Sequence, residues 1–385
     1  MDSVNLRVLV DRARRGFYKL KRYSDLQGMA NKLKFKRLRA QYNCQIWHNA
    51  AHEIGAGIEP WRNGFSRISR GNMATFVRDG HVMLDDHLTL EIMGNKSLVY
   101  DIMRERGDPV PEYTRFTAQT VENAVTLLAR KPRPIVIKPE SGTGGGRGVT
   151  TGITTVGQLW KAVRLALCFD THLIAEEQIN GSSYRLLYLN GQFIDAIRRD
   201  PPVVVGDGTS TIRRLIQVEN QRRLSSSSTL ALSPLLVDRD CVNWLSSQGV
   251  SLKTRPELGQ ITQVKKAVNE NAAAQNHVVR DHVHASTISF ASQLVQDLSV
   301  DFAGIDILCQ DISQPLSVEN GLVSEINTTP GIHHHYLVHE TDQSAPVAEI
   351  VLEHILATGQ GAHTIRKNSF IQGAAPLPNR KSAGV

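Results

Sequence analysis

A short apolar run that ends in a lysine leads directly into five glycines within seven residues, in the sequence VIKPESGTGGGRGV at positions 136–149. Ile135 to Ile137 have the length and character of a buried strand, which would deliver Lys138 at its end. Glycine lets backbone N–H groups approach an anion closely, and Lys138 and Arg147 add positive charge. The stretch therefore suits a polyphosphate, although glycines alone also fit a mobile hairpin tip.

Two common nucleotide-binding loops are excluded for this stretch. It lacks the Gly-Lys-Ser/Thr ending of a Walker A loop. A Thr-rich sequence follows it where a Rossmann fingerprint would require a helix.

The overall composition is that of a globular enzyme. The chain has 385 residues, of which 41% are apolar and 21% charged, enough for two or three packed subdomains. No run approaches eighteen uncharged apolar residues, and the N-terminus lacks the apolar core of a signal peptide, so we expect a cytoplasmic protein without a membrane segment. The four cysteines form no CxxC pair, so neither a zinc site nor a disulfide framework is expected.

Positive charge is concentrated near the N-terminus. Residues 7–39 hold twelve Lys and Arg against two Asp, which exceeds the net charge of +7 of the whole chain. Such a block could bind nucleic acid, an anionic membrane or an acidic polymer. The simpler interpretation is a solvated helical surface with aromatic side chains beneath it, because runs of charge usually mark exposed faces.

Apolar spacing, capping residues and turn residues predict the elements along the chain. Predicted helices cover 96–106, 121–129 and 287–298, and another begins at Thr154-Thr155. Predicted strands cover 135–137, 173–175, 235–237, 302–308 and 322–326, and a hairpin turns at Asn190-Gly191. Leu98, Val99, Ile102 and Met103 form the predicted apolar face of the first helix, and Ser225 to Ser228 predict a flexible loop.

Two of the predicted strands bring hard oxygen ligands together. Asp306 lies in the first strand, and Glu325 and Asn327 lie two residues apart in the second, where alternate side chains share a face. Carboxylate and amide oxygens suit Mg²⁺ that carries nucleotide phosphates. The competing interpretation is that Asp306 and Glu325 neutralise a buried Arg or cap a loop.

These motifs, in this order, resemble the ATP-grasp superfamily over about residues 90–355, and most closely the ATP-grasp domain of the cyanophycin synthetase group. The matching segments are Asn95-Lys96 with 108–111, Lys138 with its glycines, 175–181, 198–212, Asn269 with 281–284, and the set Asp306, Glu325 and Asn327. The resemblance implies an α/β protein of α+β subdomains with the ATP-grasp fold, in which a nucleotide is held between two subdomains with antiparallel sheets. Residues 1–90 would precede this fold, 91–355 would form it with a lid subdomain at about 115–180, and 356–385 would be a loosely ordered tail.

The resemblance also implies roles for individual residues. Lys138, Arg198 and Arg199 would be catalytic. The residue types themselves suggest two substrate contacts, Arg185 as a bidentate partner of a substrate carboxylate and His284 beside Asp281 as a base for the amine. ATP would be bound by a larger set, namely Lys96, Lys138, Ser141, Gly142, Thr143, Gly144, Gly145, Gly146, Glu176, Glu177, Ile179 and Ser183, with adenine at the backbone of Glu177 and Ile179. Mg²⁺ would be bound by Asp306, Glu325 and Asn327.

Some of these assignments have structural alternatives. Arg185 could form a structural salt bridge, and His284 could clamp a loop together with Asp281. The run 333–335 consists of three histidines after the metal-binding strand, but Mg²⁺ prefers oxygen ligands, so substrate contact or plain exposure is the preferred interpretation.

The sequence also departs from the family pattern. Ser183 stands where an acidic residue usually holds the ribose, which puts nucleotide affinity or selectivity in question. Ala273 and Ala274 replace a Gly-Gly pair near the acceptor pocket. No part resembles the second, Mur-ligase-like domain of cyanophycin synthetase, so one ligation is expected where that enzyme alternates two.

The resemblance implies an ATP- and Mg²⁺-dependent ligase that joins an amino acid or peptide carboxylate to an amine through an acyl phosphate. The alternatives are an ATP-grasp phosphotransferase, which would stop at a phosphorylated product, and a non-catalytic nucleotide sensor. Expected partners are small amino acid or peptide substrates, a second copy in a homodimer, and an acidic polymer or peptide at the basic N-terminal segment.

Overall fold

The structure is a computed structural model, and it describes residues 26–141, 147–225, 231–317 and 319–365. Within these ranges, no helix has both the length and the apolar character required to cross a membrane. The helices are α1 (Leu26–Glu53), α2 (His87–Met93), α3 (Lys96–Glu105), α4 (Glu122–Arg130), α5 (Val156–Ala166), α6 (Ile212–Arg223), α7 (Arg239–Ser247), α8 (Ala285–Asp297), α9 (His333–Tyr336) and α10 (Val347–Thr358).

The strands follow the same chain-order numbering and form antiparallel pairs. They are β1 (Gly57–Pro60), β2 (Ser66–Arg70), β3 (Met73–Val77), β4 (Tyr113–Phe116), β5 (Ile135–Pro139), β6 (Thr150–Ile153), β7 (Leu173–Glu177), β8 (Ser182–Leu189), β9 (Gln192–Arg199), β10 (Val203–Val205), β11 (Ile261–Gln263), β12 (Asn276–Val278), β13 (Phe302–Cys309), β14 (Gly321–Thr328) and β15 (His363–Thr364).

The N-terminal sheet has the order β1-β2-β3-β15, so the last described strand pairs near the start of the described chain. His363 of β15 lies opposite Ala74 of β3. Helices α1 and α10 pack against each other and against this sheet, and Ile46, Trp47 and Ala50 of α1 are buried between them. Elements from both ends of the described chain therefore share one core.

The second sheet has the order β4-β7-β5-β6 and shares one core with α4 and α5. The predicted elements of this region are confirmed. Thr155 caps α5 through a hydrogen bond from the backbone N–H of Gln158, and β5 carries Lys138 near its end, as predicted.

The central sheet has the order β12-β9-β8-β13-β14 and packs against α3 and α8. Asn190 and Gly191 form the predicted turn, with φ of 50° and 73°, and a Cβ on Gly191 would lie 2.3 Å from the amide nitrogen of Gln296. The apolar face predicted for α3 is confirmed at Val99 and Met103, which are buried. The prediction is wrong for Leu98, whose side chain is 41% exposed.

A small unit inserted after the central hairpin consists of β10, β11, α6 and α7 around a core of their own. The prediction of a strand at 235–237 is wrong. Leu235 is buried in this core, but its backbone N–H and C=O pair with the side chain of Asn220, at 2.7 and 2.8 Å, instead of with a neighbouring strand. A side-chain amide thus satisfies the backbone groups that a sheet would otherwise have satisfied.

The prediction of a loosely ordered tail from residue 356 is wrong for residues 356–364. Helix α10 continues to Thr358, and β15 then joins the N-terminal sheet. The rest of the predicted tail, 366–385, lies outside the described residues, as do 226–228 of the predicted serine loop.

Candidate active site

A cavity of about 740 Å³ lies between the second sheet and the central sheet. Its walls come from β5 and β7 on one side and from β8, β9, β13 and β14 on the other. Eleven of the residues predicted from the sequence line it, namely Lys96, Lys138, Glu176, Glu177, Ile179, Ser183, Arg185, Arg199, Asp306, Glu325 and Asn327. Residues that are far apart in the chain therefore meet in one cavity.

Lys138 is held by a buried polar cluster. Its Nζ lies 2.7 Å from Oε2 of Glu176 and donates to the hydroxyl of Tyr100 at 3.0 Å. The Tyr100 hydroxyl lies 3.1 Å from the same carboxylate and donates to the backbone O of Ser324 at 2.7 Å. Burial, followed by the charge of Glu176, raises the pKa of Tyr100 well above its ordinary value. Tyr100 therefore stays protonated and links Lys138 of the second sheet to β14 of the central sheet.

Lys96 enters the cavity from the first residue of α3. Asn95 caps this helix by accepting from the backbone N–H of Leu98 at 3.1 Å, as predicted. The Nζ of Lys96 lies 3.1 Å from Oε1 of Glu325, so the cation of α3 pairs with a carboxylate of β14. The helix cap thus fixes the start of the segment that carries one of the cavity's cations.

Asp306 is tied to buried arginines. Arg185 donates to both of its carboxylate oxygens, at 2.7 and 2.8 Å, and Arg199 lies 3.7 Å away. Burial alone would raise the pKa of Asp306, but the charges of Arg185 and Arg199 and a hydrogen bond from Asn327 outweigh it and lower that pKa overall. Asp306 is therefore ionised at neutral pH. The structural alternative for Arg185, a salt bridge, is present, and both partners still line the cavity.

The proposed magnesium ligands share one face of two paired strands. Asp306 lies opposite Glu325 in the β13–β14 ladder, and the Nδ2 of Asn327 lies 3.4 Å from Oδ2 of Asp306. No group of three His, Cys, Asp or Glu is arranged to hold a metal ion in the part of the chain that is described. The donor set here consists of two carboxylates and one amide oxygen. Hard oxygen donors of this kind fit Mg²⁺, with Lys96 and Arg185 now neutralising the two carboxylates.

The segment after β7 leaves a backbone donor at the cavity. The N–H of Glu177 bonds to the C=O of Glu112 at 2.9 Å, and that of Gln178 bonds to Pro134 at 2.9 Å. No backbone acceptor is found for the N–H of Ile179 among the residues that the structure describes. Gly181 follows with φ of 151°, where a Cβ would lie 2.5 Å from the carbonyl oxygen of Cys309. Only glycine allows the chain to pass so close to β13.

Two predicted site residues lie away from the cavity. Arg198 points to the opposite face of β9 from Arg199 and forms a bidentate pair with Asp200, at 2.9 and 3.1 Å. His284 caps α8, where its Nδ1 accepts from the backbone N–H of Ser286 at 3.2 Å, and it does not line the cavity. The structure therefore differs from the expectation for both residues. Side chains alternate along β9, so Arg199 faces the cavity and Arg198 does not, and the ring of His284 is engaged in capping α8.

The glycine-rich stretch is described only in part. Gly142, Thr143, Gly144, Gly145 and Gly146 lie outside the described residues. Ser141 precedes them and is anchored to Asp170, which accepts from its backbone N–H at 3.0 Å and from its hydroxyl at 2.9 Å.

Sequence reasoning missed Arg39 and left the histidine run undecided. Arg39 of α1 lines the cavity, as do His333 and His334, whereas His335 is buried and its Nδ1 lies 2.7 Å from Oδ2 of Asp195. Burial lowers the pKa of His333 and His334 well below its ordinary value, and nearby arginines lower it further. The charge block at 7–39 was the signal for Arg39, but no local pattern indicates which member of the block faces inward.

Comparisons with known proteins find curated relatives, although no protein-family profile matches the chain. The chain is 29% identical over 252 residues to cyanophycin synthetase of Crocosphaera subtropica, a match that covers 64% of this chain and 29% of the relative. It is 26% identical over 274 residues to the glutathione biosynthesis bifunctional protein GshAB of Clostridium perfringens, covering 70% of this chain and 35% of the relative. The chain thus spans about a third of the length of these curated relatives.

A solved structure has a similar fold. The bifunctional glutathione synthetase from Pasteurella multocida superposes with a TM-score of 0.51 at 23% identity, over 79% of this chain and 42% of that one. At this identity the likeness concerns the fold alone, and it confirms the predicted fold class.

Proposed function

The chain belongs to the ATP-grasp superfamily, and from this premise we propose that it is an ATP- and Mg²⁺-dependent carboxylate-amine ligase for amino acids or peptides. The observation that carries the proposal is that Lys96 and Lys138 line one cavity together with the acidic and amide side chains of β13 and β14. Superfamily membership supports ATP and Mg²⁺ as the nucleotide and the ion. The substrates belong to the proposal alone.

The charges around the cavity suit phosphoryl transfer to a carboxylate. The terminal phosphate of ATP and an incoming carboxylate repel each other, so cations must lie close to both before attack is possible. Lys96 and Lys138 are each paired with one carboxylate, Glu325 and Glu176. We propose that they exchange these partners for phosphate oxygens when ATP binds. Mg²⁺ held by Asp306, Glu325 and Asn327 would supply further neutralisation of phosphate charge.

The proposed reaction has two steps. A substrate carboxylate oxygen attacks the terminal phosphorus while the bond from that phosphorus to the bridging oxygen breaks, and ADP leaves. An unprotonated amine then attacks the acyl carbon, inorganic phosphate leaves, and the nitrogen loses a proton. The N–H of Ile179, which has no backbone acceptor among the described residues, would bind adenine in this arrangement, and Ser183 stands in place of the usual acidic ribose ligand.

The first experiment measures ADP release from ATP and Mg²⁺ across amino acids and short peptides, singly and in pairs, with mass spectrometry of each mixture. We expect release only when a carboxylate and an amine are both present, with a product mass equal to their sum minus water. In Lys138→Ala, release should fall by about 100- to 1,000-fold, because one preorganised cation at the transferring phosphate is removed.

The same mixtures separate the alternatives. A phosphorylated product that forms without an amine would favour phosphotransfer. ATP binding without turnover on any pair would favour a nucleotide sensor. Retention of full activity in Lys138→Ala would contradict the assignment of this cavity to the reaction.

A further inference from the structure

Arg39 brings an unused donor to the cavity from outside the region that resembles ATP-grasp proteins. Its Nη2 donates to the backbone O of Ala231 at 2.5 Å, and its guanidinium lies over the ring of Phe35 at 5.1 Å from the centroid. Its Nε is buried, and no acceptor for it is found in the part of the chain that the structure describes. No carboxylate lies within 4.0 Å of Arg39 among the described residues. The side chain therefore adds an uncompensated positive charge to the cavity wall.

Arg199 on β9 also has a buried donor that lacks an acceptor among the described residues. Its side chain is 3% exposed, and within the described ranges its Nε is buried without an acceptor. Its terminal nitrogens lie 3.7 Å from Asp306 and 3.5 Å from Asn269. Burial, followed by repulsion from Arg185, lowers the pKa of Arg199 to about 10, so the group stays charged at neutral pH.

Arg39 and Arg199 line the same cavity, together with Arg185, His333 and His334. After burial, the charges of Arg39, Arg185 and Arg199 all lower the pKa of His333 and His334. Both rings are therefore neutral at neutral pH. Asp306 is shared by Arg185, at 2.7 Å, and Arg199, at 3.7 Å, and the ion pairs of the described residues include none with Arg39.

We infer that Arg39 and Arg199 bind a substrate carboxylate other than the one that is activated. The inference rests on the proposed ligase function and narrows its substrates to amino acids or peptides that keep a free carboxylate in the bound state. A carboxylate accepts charge-assisted hydrogen bonds from both guanidinium groups and satisfies their buried donors. The free carboxylate belongs either to the activated substrate or to the amine substrate.

The inference can be tested by measuring the binding of simple carboxylates, which requires no turnover. The probes are succinate, with two carboxylates, and acetate, with one, titrated calorimetrically into the full chain with Mg²⁺ and a non-hydrolysable ATP analogue. We expect wild type to bind succinate at least about tenfold more tightly than acetate, and Arg39→Gln to lose at least about tenfold in succinate affinity. The matched control is Arg37→Gln, which changes an exposed arginine of the same helix and should leave succinate affinity within about twofold.

The titrations also have outcomes that would contradict the inference. No succinate binding to wild type, an equal loss in both variants, or a parallel loss of affinity for the ATP analogue in Arg39→Gln would overturn the inference. Such results would leave the ligase proposal untouched, since that proposal depends on two-substrate ADP release.

A kinetic measurement then identifies the source of the carboxylate. With an active substrate pair, Arg39→Gln should raise the KM of one substrate only. Amidation of that substrate's free carboxylate should raise its KM in wild type and have little further effect in Arg39→Gln. An unchanged KM for both substrates in the variant would contradict the inference.

Discussion

Arg198 and Arg199 are neighbours in the sequence, yet they lie in different environments because side chains alternate across a strand. Arg199 faces the cavity and is buried beside Arg185 and Asp306. Arg198 faces away and is paired with Asp200 at partial exposure. A sequence match can place the pair on a strand, but the direction of each side chain depends on which face of the sheet the rest of the fold covers.

We therefore predict different effects for the two positions. Arg199→Gln should lower the rate of ADP release by about 100-fold, since it removes a positioned cation from the cavity. It should not destabilise the fold by more than about 1 kcal/mol, because Arg185 still neutralises Asp306 and a repulsive neighbour is lost. Arg198→Gln should change the rate by less than about threefold, as expected for a partly exposed ion pair.

Steady-state kinetics together with urea unfolding of both variants would check this prediction. Equal losses of rate in the two variants would mean that the arginine pair acts as a unit, contrary to the geometry of β9.

Helix α3 shows how a local element serves the site. Asn95 caps the helix with its side-chain oxygen. This oxygen accepts from the backbone N–H of Leu98 at 3.1 Å and from the hydroxyl of Ser97 at 3.0 Å. Lys96 is the next residue, so its backbone position depends directly on that cap. The rest of the helix is held by burial of Val99 and Met103 against the central sheet.

Asn95→Ala should lower the free energy of unfolding by about 1 kcal/mol, the usual effect of losing an N-cap acceptor. It should also raise the KM for ATP several-fold, since the first turn of α3 would no longer fix Lys96. Asn95→Ser keeps an acceptor at this position and should retain both properties. Urea midpoints and ATP titrations measure the two effects, and a KM that stays constant while stability falls would separate the cap from Lys96.

Elements with local signals could be predicted from the sequence, and elements without them could not. The capped helices α3 and α5 and the turn at Asn190-Gly191 depend on residues a few positions apart, and all were found. The strand predicted at 235–237 failed because its backbone bonds go to the side chain of Asn220, a contact across the small unit. The partner of β15 lies almost three hundred residues away, and no short pattern encodes such a pairing.

The residues of the candidate site also fall into those that a local pattern predicts and those that no local pattern predicts. Glu325 and Asn327 could be predicted because two positions apart on a strand share a face, and Lys138 because a strand and a glycine-rich stretch flank it. Tyr100 and Arg39 could not be predicted, because no motif includes either residue: Tyr100 contacts Lys138 from the buried face of α3, and Arg39 lines the cavity from α1. Their contribution depends on how α1 and α3 pack against the sheets.

At the scale of the whole molecule, one core joins the two ends of the described chain. Trp47 of α1, Phe302 of β13 and Leu352 of α10 belong to the same buried cluster. The second sheet has a separate core, formed with α4 and α5. A defect in α10 should therefore spread to α1 and leave β5 unaffected.

Leu352→Ala should lower the free energy of unfolding by about 2–5 kcal/mol, because Leu352 is fully buried and its truncation leaves a cavity. Hydrogen exchange followed by mass spectrometry should show faster exchange around Trp47 and unchanged exchange in β5. Ile350→Ala is the control, since that side chain is 37% exposed and should cost less than about 1 kcal/mol. Equal acceleration in both regions would indicate a single cooperative unit.

The pairing of β15 with β3 has a consequence for synthesis on the ribosome. Strand β3 is complete by Val77, but its partner at 363–364 is translated only after the second sheet and the central sheet. At about 5–20 residues per second, the nascent chain would carry an unpaired strand edge and an uncovered apolar face for many seconds. The first sheet to be made is thus the last to be finished, and it is the part of the molecule most exposed to nascent-chain aggregation.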